Sequence, residues 1–218
     1  MFFGEVKTES SLGGILSSSI EVYKDKKKLK ISKGTIINKN LVDLFLSNNI
    51  KHLICAKLDN DEVEENTAVF MISKQIIASK KSFIKIQNPK NGRCNLVSNV
   101  DGIIVFQPNQ LFSINSITDD VGVASLKPFS KVKKNQIIAS IKAIPFGIKI
   151  KHLQNIINIS QDCFKILPFQ KKNIHLIQTT NQNTREKILE KTLEVTKDRL
   201  SSCGINQITE KKCLHEIN

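Results

Sequence analysis

Apolar and polar residues alternate in short blocks along most of the chain, and the spacing within these blocks predicts both strands and helices. The first apolar segment, Phe2 to Val6, predicts a short edge strand. Asn38 or Asn40 can cap a helix that runs to about Asn49, because an asparagine side chain accepts hydrogen bonds from the free amides of a helix's first turn. A buried strand is then predicted over His52 to Ala56.

Acidic residues gather just before the next helical pattern: Asp59, Asp61, Glu62, Glu64 and Glu65. Val69, Ile72 and Ile76 follow at the spacing of one helix face. Negative charge is favoured at the beginning of a helix, because the helix dipole is positive there. Two interpretations of the acids stay open: they mark the helix N-terminus, or a pair of them serves acid–base chemistry or binds a metal ion.

From Phe83 onwards, short β-branched segments predict strands at 83–86, 96–97, 103–106, 121–126 and 136–144. The dipeptides Asn91-Gly92 and Asp101-Gly102 predict tight turns between them. Helices are predicted at 108–117 and 149–159. The middle of the chain is therefore rich in strands connected by short turns and two helices.

The C-terminal part of the chain has the pattern of a strand, a helix and a second strand. The first strand covers Ile174 to Ile177, and Asn183 with Glu186 has the spacing of a capping box. The helix is predicted to end at Cys203-Gly204, and a second strand covers Ile205 to Ile208. Two strands joined through a helix form a β-α-β unit, which is the beginning of a parallel sheet.

The predicted fold class is α/β, with two domains. Residues 1–170 are predicted to form a mixed α/β N-terminal domain, and residues 171–218 the first β-α-β unit of an incomplete parallel-sheet domain. A doubly wound domain normally needs on the order of 100 residues. The chain is therefore expected to be a fragment, to be completed by another chain, or to pack this unit onto the first domain.

The chain of 218 residues carries 33 Lys and Arg against 20 Asp and Glu, a formal net charge of +13. A basic surface attracts phosphates. However, 30 of the 33 basic residues are lysines, and the chain is also rich in Asn and Ile, a combination that an AT-rich coding sequence produces without selection for a ligand. Base readout favours arginine, and single-strand binding favours aromatic side chains. The charge thus indicates tolerance for phosphate rather than nucleic-acid binding.

No apolar run approaches the roughly 18 to 20 residues that a membrane helix needs, and no secretory signal is visible. We therefore expect a cytoplasmic protein without a membrane partner. The five cysteines are widely spaced and form no C-x-x-C pair, which argues against a disulfide framework or a zinc ribbon. Cys213 and His215 are two potential metal ligands without a second cluster, so no metal site is predicted. Cys55 lies in an apolar run and is predicted to be a core residue.

Three polar residues of the first region lie beside predicted strands and can face a cleft: Arg93, Asn95 and Lys142. Arg93 is the only arginine before residue 185, and a guanidinium fork suits phosphate recognition. The other interpretation of Arg93 is an ion pair at the rim of the domain.

Short motifs follow one another over nearly the whole chain: Phe3-Gly4-Glu5-Val6, Gly14-Ile15-Leu16, Leu29-Lys30-Ile31-Ser32-Lys33-Gly34-Thr35, Ala56-Lys57-Leu58, Asp61-Glu62-Val63-Glu64-Glu65, Gly92-Arg93-Cys94-Asn95-Leu96, Gln136-Ile137-Ile138-Ala139-Ser140-Ile141-Lys142, Ile144-Pro145-Phe146, Lys191-Thr192, Val195-Thr196, Arg199-Leu200 and Cys213-Leu214-His215-Glu216. Their order and spacing resemble the N-terminal part of bacterial molybdopterin-binding proteins of the molybdotransferase and molybdopterin adenylyltransferase kind. In some of these proteins the region is fused to a cofactor nucleotidyltransferase.

The resemblance implies a role in molybdenum-cofactor biosynthesis, with molybdopterin as ligand or substrate and Mg²⁺ as a candidate companion. It implies binding of the pterin phosphate or its nucleotide form, other proteins of the same biosynthesis as partners, and a homo-oligomer. In this family an N-terminal α/β region precedes an α/β domain whose loops hold the pterin and its phosphate. A complete active site would need the rest of that second domain, so catalysis by this chain alone is not expected.

The resemblance places the pterin and phosphate site after the first strand of the C-terminal domain. The loop there, Gln178 to Gln182, departs from the acidic, Gly-containing loop of the family. Its hydroxyls, on Thr179 and Thr180, can still bind an anion ahead of a helix N-terminus. Lys191 and Thr192, about two turns into the helix, match the family pattern; the other interpretation is that Thr192 packs and Lys191 is solvated.

Two functions of other classes remain as alternatives. The chain can be an interaction module whose N-terminal domain mediates dimerisation and partner docking, which predicts oligomers without pterin affinity. It can also be a general nucleic-acid binder that depends on the net charge of +13, which predicts a steep loss of binding with salt.

Overall fold

The structure is a computed structural model and describes residues 1–79 and 82–215. In chain order the strands of these residues are β1 (Phe2–Lys7), β2 (Ile15–Leu16), β3 (Ile20–Lys24), β4 (Lys27–Ile31), β5 (His52–Lys57), β6 (Glu62–Glu64), β7 (Ile84–Ile86), β8 (Arg93–Ser98), β9 (Gly102–Val105), β10 (Val121–Ser125), β11 (Lys131–Val132), β12 (Ile137–Ala143), β13 (Gly147–Lys149), β14 (Lys165–Pro168), β15 (Ile174–Thr180) and β16 (Ile208–Leu214). The helices are α1 (Lys39–Ser47), α2 (Glu65–Ile76), α3 (Pro108–Asn115), α4 (Ile150–Ile159) and α5 (Glu186–Ser201).

The strands form small sheets. The largest has four strands in the order β10-β12-β8-β7, and two others have three strands each, β1-β5-β2 and β11-β9-β14. The pairs β3-β4, β6-β13 and β15-β16 complete the described part of the chain. All of these pairings are antiparallel except that of β15 with β16, which are parallel. Along the chain, β15 precedes α5 and β16 follows it.

The predicted fold class is wrong in its central feature, the parallel α/β sheet. Of the described residues, 36% are in strands and 27% in helices, and the strands lie mostly in small antiparallel sheets. A two-stranded parallel pair is not such a sheet, whose strands are covered by helices on both faces. The physical reason for the error is that short β-branched segments predict strands but not their direction. Direction follows from pairings between distant segments, such as β8 with β12 and β9 with β14.

Buried apolar residues form two clusters. The smaller packs α1 against β2, β3 and β5, with Phe45 and Leu16 fully buried at its centre. It also contains Cys55, which confirms the predicted core position. The larger cluster packs α2 and α4 against the four-stranded sheet, and it buries the predicted stripe of Val69, Ile72 and Ile76 completely. The boundary predicted between residues 170 and 171 stays a prediction.

Helix α1 confirms the predicted asparagine cap. The side-chain oxygen of Asn38 accepts a hydrogen bond from the backbone N–H of Leu41 at 3.0 Å. Replacing Asn38 with alanine is expected to lower the free energy of unfolding by about 1 kcal/mol, because the Leu41 amide loses its side-chain acceptor and keeps only the backbone carbonyl at residue 38, 3.1 Å away. Urea denaturation measures the change. Asn40→Ala, at the second residue of the helix, is the matched control and should not destabilise the protein; equal losses in the two variants would contradict the cap.

The C-terminal elements differ from their predicted bounds. Helix α5 begins after Arg185 without a side-chain cap, so the capping box of Asn183 and Glu186 is wrong. The second strand of the predicted β-α-β unit is β16 (Ile208–Leu214), not Ile205 to Ile208. Within the described part of the chain, no helix combines the length and the apolar character needed to cross a membrane.

Candidate functional site

A polar cleft of about 470 Å³ lies between the turn that follows β4 and the turn that precedes β8. This volume is in the range of roughly 300 to 1,000 Å³ that is typical of small-molecule sites. Three of the lining side chains are lysines, and most of the others carry hydroxyl or amide groups. The lining residues are Ser19, Lys30, Ser32, Lys33, Gly34, Thr35, Asn66, Pro89, Lys90 and Asn91.

One wall of the cleft is the turn around Gly34. Gly34 has a φ of +82°, a conformation that side chains disfavour, and its N–H donates to the carbonyl of Leu16 at 2.8 Å. The Thr35 hydroxyl donates to the carbonyl of Ser32 at 2.7 Å. The backbone N–H of Lys33 donates to the Ser19 hydroxyl at 3.1 Å. These three hydrogen bonds therefore fix the backbone of the turn, and the Lys33 side chain is exposed at the rim of the cleft.

The opposite wall is the tight turn at Asn91-Gly92, as predicted from its sequence. Both residues have positive φ, 51° and 67°, and Lys90 and Arg93 on either side exchange two backbone hydrogen bonds of 2.9 and 3.1 Å. The Gly92 N–H donates to Asn66 Oδ1 at 3.0 Å, which ties this turn to the first turn of α2. Asparagine and glycine are the residues that tolerate this backbone conformation best.

Glu65 lies between the two turns. Glu65 is only 3% exposed, and its Oε1 has no hydrogen-bond partner in residues 1–79 and 82–215. A Cβ on Gly92 would overlap Oε2, and a Cβ on Gly34 would stand 3.9 Å from Oε1. The Glu65 N–H donates to the carbonyl of Phe146 at 2.9 Å and fixes the backbone. A buried acceptor without a donor costs about 1 to 3 kcal/mol, so it is a feature that needs an explanation.

The electrostatic surroundings of Glu65 act in opposite directions. Burial is the largest influence and raises the pKa of its carboxyl above the usual value. Lys142 and Lys33 lower this pKa, and the neighbouring Glu64 raises it. The carboxyl group is thus desolvated beneath a positively charged rim.

The other acids of the same segment have structural partners. The Glu64 carboxylate accepts from the backbone amides of Asn66 and Thr67 at 2.9 Å and caps α2. Asp61 forms an ion pair with Lys149 at 3.2 Å. The N-terminal ammonium group contacts both Asp59 and Glu62. Glu62 to Glu64 form β6, so helix α2 begins later than predicted. Among these five acids of the described chain, Glu65 is the one that is buried and whose Oε1 has no hydrogen-bond partner.

Arg93, Asn95 and Lys142, predicted from the sequence to face a cleft, lie together on β8 and β12, but none of the three lines the polar cleft. Arg93 is opposite Lys142 in the register, and Asn95 is opposite Ser140. The Lys142 ammonium donates to the carbonyl of Asn91 at 2.6 Å and so supports the turn that forms one wall. Asn95 is already bonded on both ends of its amide, to Ser140 at 2.6 Å and to Gln87 at 3.0 Å.

Arg93 is exposed at the beginning of β8. No acidic side chain within the described ranges 1–79 and 82–215 lies at ion-pair distance from its guanidinium group. The interpretation of Arg93 as part of a rim ion pair is therefore not supported, and its charge faces solvent next to the cleft.

The four residues that the resemblance assigned to the C-terminal part lie elsewhere. Thr179 and Thr180 are the last residues of β15, not of a loop, because β15 pairs with β16 as far as Thr180. The Thr180 hydroxyl donates to the carbonyl of Cys213 at 3.3 Å. Lys191 and Thr192 are exposed on α5, where the Thr192 hydroxyl donates to the carbonyl of Ile188 at 2.8 Å. None of these four residues lines the polar cleft.

Sequence reasoning missed Glu65 and Lys33 as site residues. A signal for Glu65 was present: it precedes Val69, Ile72 and Ile76 by four, seven and eleven residues, so it lies on the buried face of α2. A charged residue in register with an apolar stripe is rarely buried unless it is paired. Lys33 carries no comparable signal, because a lysine beside a glycine is an ordinary surface turn.

Two other features of the described residues carry less chemistry. A cavity of about 710 Å³ lies between the β3–β4 hairpin and α1. Glu65 lines neither this cavity nor the cleft, but Gly34 of the cleft lies next to Glu65 Oε1. Cys213 and His215 belong to no group of three potential metal ligands in residues 1–79 and 82–215. Glu216, the last residue of that motif, lies outside the described residues.

Comparison of the chain with models of protein families, with curated proteins and with solved structures gives no match in any of the three. The function of the cleft therefore has to be inferred from its own geometry and from the motif resemblance described above.

Proposed function

We propose that this chain binds molybdopterin, as the pterin phosphate or its nucleotide form, in the cleft above Glu65, and that it serves molybdenum-cofactor biosynthesis in the cytoplasm. The observation that carries the proposal is the lysine-rich cleft together with the buried Glu65 carboxyl group behind its Gly34 wall, whose Oε1 has no partner within the described residues. Such a site suits a ligand that combines hydrogen-bond donors with a phosphate.

Several of the segments that carry the family resemblance lie around this cleft, although those on α5 and β16 do not. Lys33 and Gly34 belong to one of them and line the cleft. Gly92 and Lys142 belong to two others and form or support the opposite wall. The carbonyl of Phe146 accepts from Glu65, and the Lys33 ammonium lies 5.2 Å from the centre of the Phe146 ring. Motifs that are far apart in the sequence thus support one ligand site rather than several unrelated structural roles.

The charges of the cleft suit a phosphate at the rim and not at the base. Lys30, Lys33 and Lys90 are exposed at the rim, where their ammonium groups can bind phosphate oxygens. A phosphate next to Glu65 would be repelled if the carboxyl is ionised. We therefore place the heterocycle at Glu65 and the phosphate at the lysines.

Magnesium has no site of its own in this arrangement. Mg²⁺ prefers several oxygen ligands, and none of the residues that line the cleft carries a carboxyl group. We assign no step to the ion, and any Mg²⁺ that accompanies the nucleotide form would be held by its phosphates. Partner proteins of the same biosynthesis and a homo-oligomeric state stay predictions from the resemblance, and no catalytic residue is assigned.

Anaerobic isothermal titration of the full chain with molybdopterin tests the proposal. We expect saturable binding, and we expect Lys33→Ala to weaken it by about tenfold, the effect of losing one charge-assisted hydrogen bond. Lys191→Ala removes the same charge from α5 and is the matched control, which should bind like the unmodified chain. Absence of binding to the unmodified chain would overturn the proposed function.

If Lys191→Ala weakens binding and Lys33→Ala does not, the ligand lies at α5 instead of the cleft. In that case molybdopterin binding would stand, while the site proposed for it would be wrong. The two variants therefore separate the function from its location.

A further inference from the structure

A shallow groove along one face of α5 has an apolar floor between two basic flanks. We infer that this groove is a docking surface for an acidic amphipathic helix of a partner protein. The inference is independent of the proposed function, because the groove is lined only by α5 and by Arg185 directly before it, whereas the polar cleft is formed by other elements.

Helix α5 has two apolar stripes, and one of them is left exposed. Leu189, Leu193 and Leu200 form the first stripe, in which Leu189 is buried and the other two are half-buried. Ile188 and Val195 form the second stripe, two turns apart on one face, and they are 58% and 37% exposed. No residue of another element lines the groove within the described part of the chain. The second stripe therefore has no packing partner there.

Basic side chains lie on both sides of the exposed stripe. By helical spacing, Lys187 and Lys191 lie on one side of it, and Arg185 and Arg199 lie on the other. All four are exposed, and no acidic side chain within residues 1–79 and 82–215 is at ion-pair distance from any of them. The groove therefore matches a helix that carries acidic residues on both sides of its own apolar stripe.

Two of the three arginines of the chain are in this groove. Lysine fills 30 of the 33 basic positions of the chain, so compositional bias alone places lysines on its surface. Arg185 and Arg199 depart from that bias. A guanidinium group donates two parallel hydrogen bonds to one carboxylate, and arginine is enriched among the residues that contribute most to protein–protein binding. The two arginines therefore favour carboxylates as the groups that the flanks bind.

The charges of α5 are sorted into stripes rather than mixed. Four acidic residues from Glu186 to Asp198 follow one another at four-residue spacing, and Lys187 and Lys191 have the same spacing. Opposite charges at this spacing stabilise a solvated helix, and like charges destabilise it. The basic side of α5 therefore lacks the compensation that its own helix could provide, and an acidic partner would supply it.

Three other occupants fit the groove less well. Two copies of the groove would bring basic flank against basic flank in either orientation of the helices. A lipid surface favours aromatic and leucine side chains, whereas α5 has no aromatic residue and its leucines belong to the buried and half-buried stripe. A nucleic-acid backbone would bind the basic side chains but would leave Ile188 and Val195 exposed.

Selection from a displayed library of helical peptides against the full chain tests the inference. The peptides have about 16 residues, with leucines at the i, i+4 and i+7 positions of one face. The flanking positions are drawn equally from glutamate, aspartate, lysine, arginine, glutamine and serine. We expect glutamate and aspartate to be enriched on both flanks of the bound peptides. A synthetic copy of the most enriched peptide is then titrated with the chain by fluorescence anisotropy.

Two substitutions in the groove have matched controls outside it. Arg199→Glu should weaken peptide binding by about tenfold, because repulsion replaces attraction. Lys197→Glu makes the same kind of change at an exposed residue of α5 outside the groove, and its effect should be less than about threefold. Ile188→Ser should also weaken binding by about tenfold, because apolar contact area is lost. Ile177→Ser, at an isoleucine of similar exposure on β15, should not weaken it.

Peptides without enriched acids, or equal effects within either pair of variants, would overturn the inference. Peptide binding that depends on Arg199 but not on Ile188 would also overturn it, because any polyanion would then suffice. If the library yields no acidic peptides and the chain binds phosphatidylcholine–phosphatidylserine vesicles in an Ile188-dependent manner, the groove belongs to a membrane surface instead. None of these results bears on molybdopterin binding in the cleft, so the two proposals fail separately.

Discussion

Gly92→Ala is expected to lower the free energy of unfolding by about 3 kcal/mol, which combines the strain of a left-handed alanine with overpacking. Gly92 has a φ of +67°, and a Cβ there would overlap Glu65 Oε2 and stand 3.0 Å from the carbonyl of Ala143. The Ala143 N–H donates to the Gly92 carbonyl at 2.8 Å, which keeps the backbones of the two residues close together. Urea denaturation followed by circular dichroism measures the loss.

Two other glycines separate the causes of this loss. Gly13 has a φ of +76° with open space around it, so Gly13→Ala measures the backbone strain alone, about 1 kcal/mol. Gly122 has neither a positive φ nor a neighbour within 4 Å, so Gly122→Ala should not destabilise the protein. A loss at Gly92 no larger than that at Gly13 would show that the space between Gly92 and Glu65 is wider than the structure has it.

The second large effect is a change in the pH dependence of stability when Glu65 is replaced with glutamine. Burial raises the pKa of Glu65 in the folded protein above the ordinary glutamate value of 4.5. The folded state therefore holds this proton more tightly than the unfolded state does, and the free energy of unfolding falls as the pH rises from about 4.5 through the folded pKa. Lys142 and Lys33 reduce the fall, and Glu64 increases it.

Glutamine is neutral at every pH, so Glu65→Gln should lack this decline. At pH 8 the variant is expected to be more stable than the unmodified chain by about 1 kcal/mol, because no charge is left buried without a donor. Denaturation curves at pH 4, 6 and 8 measure the difference, with Glu9→Gln, a change at an exposed glutamate, as the control. If the curves of Glu65→Gln and the unmodified chain stay parallel from pH 4 to 8, the carboxyl group is not buried in the manner described.

Together with the proposed function, this prediction describes a residue that lowers stability and raises affinity. Groups retained at such a cost are found at functional sites, because an active or binding site often needs a strained or unpaired group. A substitution at Glu65 that stabilises the protein and weakens molybdopterin binding would be the outcome characteristic of such a residue.

Local features of the fold were predictable from the sequence. The cap at Asn38 and the turn at Asn91-Gly92 depend on neighbouring residues only, and both are present. The stripe of Val69 and Ile72 marks the buried face of α2 through spacing alone. Strand direction was not predictable, because it depends on which distant segments pair. The strand–helix–strand pattern at the C-terminus therefore led to a parallel sheet that the rest of the chain does not form.

The site was predictable only in part. Arg93, Asn95 and Lys142 were identified as polar residues beside strands, and the register of β8 and β12 places them next to one another. Glu65 was interpreted through the helix dipole, although its position in the apolar stripe indicated burial. Its missing partner depends on the Gly34 turn and the Gly92 turn, which come from segments before and after it. No local pattern contains that information.

The central claim, a pterin phosphate bound between the Gly34 turn and the Gly92 turn, is tested most directly by amide chemical shifts of the isotope-labelled chain during titration with molybdopterin. The largest shifts are expected at Gly34 and Gly92, where the ligand displaces the two walls above Glu65. Shifts confined to β15 and α5, or no shifts at saturating molybdopterin, would contradict the claim.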